Sequence, residues 1–129
     1  MASRKLSDLD PAVRDKCISH LRLCRTAGID VLVTCTWRSN EEQASLYARG
    51  RTVLGTIVTN ARPGESNHNV MKDDLPAARA YDVVPLRDGK PVWDADDPLW
   101  ERIGKLGEEV GMRWAGRWIR FKEFPHFEV

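Results

Sequence analysis

Asp82 lies inside the alternating apolar run Ala80 to Val84. The alternation predicts a strand, with Asp82 on the face shared by Ala80 and Val84. A carboxylate is expensive to bury among apolar side chains unless it is paired or bound to a metal. The fold must therefore bring Asp82 a positive partner, either a metal ion or a buried salt bridge. No other single residue constrains the chain as much.

The stretch leading into this strand, E-S-N-H-N-V-M-K-D-D-L-P-A-A-R-A-Y-D over Glu65 to Asp82, also carries His68. Near the C-terminus, F-K-E-F-P-H-F-E adds His126, with Glu123 three residues before it. Two histidines, an aspartate and a spare glutamate match the needs of a catalytic zinc site: three ligands, an open fourth position for water, and a nearby general base. Singly, each candidate is ambiguous, since a lone histidine is more often structural than a ligand. His20 falls off the apolar stripe of its helix and has no second ligand beside it, so a surface or structural role is expected.

The remaining pattern predicts mixed helix and strand. Asp10-Pro11 opens a helix over about 11–27, with Val13, Cys17, Leu21 and Cys24 at helical spacing and Gly28 as the stop. Ile29 to Trp37 alternates as a strand, and Ser39 with Glu42 has the spacing of a capping box for a second helix ending at Gly50. Arg38 sits at that strand-to-helix corner, which can aim its guanidinium into a cleft. Residues 51–62 read as a loop with a marginal strand at Val53-Leu54 or Ile57-Val58, and Pro63-Gly64 as a turn. Ser66 and His68 would share a face if their backbone is extended. Asn69 to Arg79 has no clean period and reads as an exposed excursion.

Asp88-Gly89 marks a hairpin tip, and Asp97-Pro98 opens a third helix with the stripe Leu99, Ile103, Leu106 and Val110, ended by Gly111. Gly104 and Gly107 weaken that helix and point to close packing on the sheet. The aromatic-rich tail predicts core packing or a groove wall for Trp114 and Trp118, then a last strand carrying His126 and Phe127.

The 129 residues predict one domain, 1–129, with no linker, repeat or separate binding module. A net charge of +1 gives no case for nucleic acid or a membrane surface. The mild basic cluster Arg113, Arg117, Arg120 and Lys122 reads as a solvated face. No apolar run approaches the roughly 18 residues of a membrane span, so no membrane insertion is expected. The N-terminal residues show no apolar segment of a secretory signal, which predicts a cytoplasmic chain. Cys17, Cys24 and Cys35 form no C-x-x-C pair and are expected as core thiols.

Taken in order, T-W-R-S-x-x-E-Q-x-x-L-Y-A-x-G-R, S-x-H, A-x-A-x-D, W-A-G-x-W and E-x-x-H-F-E strongly resemble the zinc D,D-carboxypeptidase/L,D-endopeptidase family. That family includes VanY-type carboxypeptidases and the L-alanyl-D-glutamate peptidases of phage endolysins. The resemblance covers about Val31 to Val129. It implies an α+β fold of the hedgehog/DD-peptidase kind, a small antiparallel sheet flanked by helices with zinc on one sheet face. It also implies one catalytic Zn2+ held by His68, Asp82 and His126, with Glu123 as base. Arg38 would bind and polarise the substrate, and Gln43, Ser66 and Trp114 would contact it.

Two departures stand out. The family form S-x-H-x-x-G-x-A-x-D is shorter than the thirteen residues, Asn69 to Tyr81, that separate His68 from Asp82 here, and Ala78 stands where glycine is usual. The extra stretch is expected as a rim loop that reshapes the substrate groove. The family's W-G-G-x-W becomes Trp114-Ala115-Gly116-Arg117-Trp118.

The resemblance implies hydrolysis of an amide bond in peptidoglycan stem peptides. The first expectation is the L-alanyl-D-glutamate bond, cut by a monomeric phage or prophage endolysin held in the cytoplasm until its release to the wall. A D-alanyl-D-alanine carboxypeptidase of cell-wall metabolism is the alternative, although such an exported enzyme normally carries a signal or anchor. The same fold can also serve as a non-enzymatic zinc-containing binding module. A nucleic-acid-binding role would rest on the basic cluster alone.

Overall fold

The computed structural model describes residues 2–129. Helix α1, Pro11–Thr26, starts where the sequence predicts: the Asp10 carboxylate accepts the Ala12 N–H at 3.0 Å. Pro11 follows at the first helical position, where an N–H would have no helical partner. Gly28, at φ +77°, then turns the chain into strand β1, Asp30–Cys35, which is shorter than the alternation predicts. Ser39 caps helix α2, Asn40–Ala48, by accepting the Glu42 N–H at 3.1 Å.

Residues 51–62 hold no strand; Val53 makes only an isolated bridge to Arg49. Ser66 and His68 do not share an extended segment either. Residues 67–69 form a single 3-10 turn, capped by the Ser66 side chain accepting the His68 N–H at 3.1 Å.

The predicted excursion is a hairpin. Strands β2, Met71–Lys72, and β3, Leu75–Pro76, pair antiparallel across Asp73 and Asp74, both at positive φ. Its base is tied down by Ala77 N–H to the Val70 carbonyl (2.9 Å) and by Ala78, which pairs with the N-terminal segment at Asp8 and Asp10. Strand β4, Ala80–Arg87, turns through Asp88 and Gly89 into β5, Lys90–Pro91, as the Asp-Gly pair predicts. Helix α3, Leu99–Glu109, has its first free N–H, that of Leu99, accepted by Asp97. Strands β6, Arg113–Trp114, and β7, His126–Glu128, complete the chain.

The main sheet is antiparallel, ordered β1-β4-β7-β6, with β5 beside β4. Helices α1 and α3 cover one face, giving the α+β class the sequence predicts. On that face Tyr81, Phe127 and Trp114 stack. A Cβ on Gly104 would sit 2.3 Å from the Trp114 ring, and one on Gly107 2.4 Å from the Phe127 ring, so both glycines admit aromatic rings.

His20 is buried on this face rather than at the surface. Its Nε2–H donates to the Ile103 carbonyl and the Tyr81 hydroxyl donates to Nδ1, each at 2.8 Å. It is a structural histidine, and burial lowers its pKa against the opposing carbonyl contact. The three cysteines are free and buried.

Candidate metal centre

The second sheet face carries the polar site, and strand register builds it. Asp82 on β4 pairs directly with His126 on β7, and a register shift between Val33 and Cys35 sets Cys35 beside Asp82 on the other side. His68 arrives from the 3-10 turn, whose position is fixed by Arg38 N–H to the His68 carbonyl (2.9 Å) and Asn69 Nδ2 to the Arg38 carbonyl (2.9 Å).

Three donor atoms converge. His68 Nε2 lies 3.1 Å from Asp82 Oδ1 and 3.2 Å from His126 Nδ1, and His126 Nδ1 lies 3.0 Å from Asp82 Oδ1. Ligand bonds of about 2.0–2.1 Å in tetrahedral geometry place neighbouring donors about 3.3 Å apart. The triangle thus fits one small divalent cation with an open fourth direction.

The tautomers agree with it. His68 Nδ1–H donates to the Thr36 carbonyl (2.7 Å) and His126 Nε2–H donates to Glu128 (2.7 Å), so each ring turns its remaining nitrogen towards Asp82. Burial opposes a charge on both imidazoles, yet the Asp82 carboxylate raises both above the ordinary histidine value. Burial likewise opposes charge on Asp82, and the two imidazoles hold it well below the usual carboxylate range. The pocket's field therefore favours positive charge between these groups.

Cys35, His68 and Asp82 also offer donors within 4.8 Å of one another. Cys35 Sγ lies 3.6 Å from His68 Nδ1, the nitrogen already committed to Thr36. The tighter set is therefore His68, Asp82 and His126.

These groups open into a cleft of about 460 Å³ lined also by Arg38, Ser66, Trp118, Arg120 and Glu123. Burial is the main cause that raises the Glu123 pKa; the His126 charge opposes it and the Asp82 charge adds to it. Arg38 reaches Asp82 at 3.8 Å and donates to Gln43 Oε1 at 2.9 Å.

Three predicted features are placed differently. Gln43 is fully buried: it holds the Arg38 guanidinium and donates to the Ala61 carbonyl (2.7 Å), so it positions Arg38 rather than touching a ligand. Trp114 belongs to the core, with its indole N–H donated to the Phe124 carbonyl (2.8 Å). Its partner Trp118 lines the cleft, 5.7 Å from the His126 ring. The rim-loop expectation also fails, because no residue of 69–79 lines the cleft; Ala78, just after the hairpin, pairs with the N-terminal segment instead. Glu128 and the Thr36 carbonyl were absent from the sequence expectations, although alternation along β7 puts Glu128 on the face of His126.

Two members of the basic cluster form ion pairs, Arg113 with Glu128 and Arg117 with Glu101 and Glu108, whereas Arg120 lines the cleft rather than a purely solvated face. Among the described residues no helix is long and apolar enough to cross a membrane.

Comparison with known proteins places the chain in a family. A family model of peptidase M15, described as D-alanyl-D-alanine carboxypeptidase, matches residues 59–129. The peptidoglycan L-alanyl-D-glutamate endopeptidase CwlK of Bacillus subtilis (strain 168) is 36% identical over 131 residues, covering 95% of this chain and 74% of CwlK. The fold resembles the Serratia marcescens L-Ala D-Glu endopeptidase ChiX, with TM-score 0.70 and 20% identity over 100% of this chain and 88% of ChiX. It also resembles the LD-carboxypeptidase LdcB, with TM-score 0.71 and 14% identity over 94% of this chain and 58% of that one. With a cation-shaped triangle of donors in its cleft and this degree of likeness to CwlK, the chain belongs to peptidase family M15.

Proposed function

We propose that this chain is a zinc peptidase that hydrolyses the L-alanyl-D-glutamate bond of peptidoglycan stem peptides. The convergence of His68, Asp82 and His126 at 3.0–3.2 Å beside Glu123 carries the chemistry. The likeness to CwlK supports the choice of bond. When bound, zinc supplies Lewis acidity and lowers the pKa of water from ~15.7 to about 7.

The chain's residues do the rest. Glu123, held in a half-buried site that raises its pKa, takes the proton of the attacking water and passes it to the leaving amine. Arg38, fixed by Gln43, faces the developing oxyanion. Trp118 and Ser66 line the cleft on which the peptide lies.

Release from a phage-infected cell is the setting we favour, with the protein acting as a monomer. The family description favours a second reading, removal of a terminal D-alanine. Digestion of purified peptidoglycan by the zinc-loaded protein, read by mass spectrometry, separates the two. New L-alanine C-termini and D-glutamate N-termini support the endopeptidase. Free D-alanine alone would replace it with the carboxypeptidase. Glu123→Ala is expected to keep zinc and lose hydrolysis, whereas His126→Ala loses both; an active Glu123→Ala protein would remove Glu123 from the mechanism.

A further inference from the structure

We propose that Glu128 is a positioning residue that sets the metal affinity of this site through His126, an inference that rests on the zinc reading above. Glu128 Oε1 accepts the His126 Nε2–H at 2.7 Å, on the ring edge opposite the Nδ1 that faces Asp82. Its side chain is largely buried, at 15% exposure, so the contact is shielded from water.

The other carboxylate oxygen of Glu128 is held by Arg113 at 2.9 Å, directly across the β6–β7 register. The carboxylate therefore cannot rotate away from the ring without leaving its partner. A charged acceptor on the far nitrogen does two things. It holds a proton on Nε2, so that Nδ1 is the nitrogen left to meet a metal ion, and it makes that nitrogen a stronger donor. His68 has the weaker counterpart, a neutral Thr36 carbonyl at 2.7 Å. The two histidines are thus unequal donors, and His126 is the one tuned by charge. Glu128 also lines the cleft, and the role proposed for it is exercised through the His126 ring.

Glu128→Gln keeps the shape and removes the charge. By competition with a chromophoric chelator, its zinc Kd is expected to rise about 10–100-fold. Circular dichroism of both metal-free proteins checks that the fold is retained. In long-range ¹H–¹⁵N spectra of the zinc-loaded proteins, the His126 Nε2–H signal should lie downfield in the wild type and move upfield in the variant. Arg113→Leu leaves the carboxylate on the ring and should change the Kd by less than about fivefold, the range of an exposed ion pair.

A Glu128→Gln Kd within twofold of wild type, or an unmoved Nε2–H signal, would overturn the assignment. A wild-type protein that takes up no zinc would remove the underlying metal reading instead, and this inference with it.

Discussion

Replacing Gly107 with alanine adds one methyl group to the interior of α3, where alanine is the better helix former by about 1 kcal/mol. The structure predicts the opposite sign for this substitution. The new Cβ would lie 2.4 Å from Phe127 Cε2, 2.7 Å from Cδ2 and 2.9 Å from His20 Cε1. Carbon atoms in contact sit about 3.5–4.0 Å apart, so the phenyl ring must withdraw by about 1 Å or more. It has nowhere to go. Phe127 is fully buried and stacked on Tyr81 at 5.7 Å, with Trp114 at 6.4 Å, and His20 is anchored at both nitrogens.

Overpacking of this kind costs about 1–3 kcal/mol, and pinned neighbours place it near the upper end. Net of the helix gain, Gly107→Ala should destabilise by about 1–2 kcal/mol. For a chain of this length that lowers Tm by about 3–10 °C. Thermal unfolding of the metal-free protein followed by circular dichroism measures it. A double mutant with Phe127→Leu, which clears the space, should be less destabilised than the sum of the singles by about 1 kcal/mol or more. An unchanged or higher Tm for Gly107→Ala, or strict additivity with Phe127→Leu, would refute the packing account.

Gln43→Leu frees the Arg38 guanidinium and leaves the Ala61 carbonyl without its donor, so stability should fall by about 1–3 kcal/mol and kcat by about tenfold with little change in zinc content; titrating zinc beside the kinetics separates these effects. Burial pushes the Cys17 and Cys24 thiols up to about 12 and about 11, so a thiol reagent at pH 8 should leave both unlabelled in the folded protein and label both in guanidinium. His20 has a folded pKa below its ordinary 6.5, so the unfolded chain takes the proton first. Its contribution to stability is present above pH 6.5 and is lost as pH falls through the folded value. Between metal-free wild type and His20→Gln, the stability difference should therefore shrink on acidification, as urea melts across that window would show.

Local chemistry made much of the fold legible. Asp10-Pro11, Ser39 and Asp88-Gly89 each act within a few residues, and α1, α2 and the β4–β5 turn formed where they predict. The meeting of His68, Asp82 and His126 was foreshadowed by a carboxylate in an apolar strand, which demands a partner, and by the family resemblance, which singled out the same three residues. What stayed hidden depends on distance through space. The W-A-G-R-W pattern alone does not say which ring enters the core; Gly104 on α3, together with Gly116, makes room for Trp114. Gln43 faces inward because the 59–61 segment returns over α2. The β2–β3 hairpin was missed because its turn uses two aspartates at positive φ rather than glycine, and proline stands in its second strand.

That hairpin changes what the thirteen-residue separation between His68 and Asp82 means. The bond between Ala77 and Val70 closes the ribbon at its neck, so Met71 to Pro76 hang outside the path that joins His68 to Asp82. Removing those six from the thirteen leaves seven residues that actually span the gap. Sequence distance and mechanical distance are thus uncoupled: the ribbon can lengthen, shorten or change composition without lengthening the tether between His68 and Asp82. The protein carries, between two of its most demanding residues, a splice point where new sequence can be tried at little risk to the chemistry.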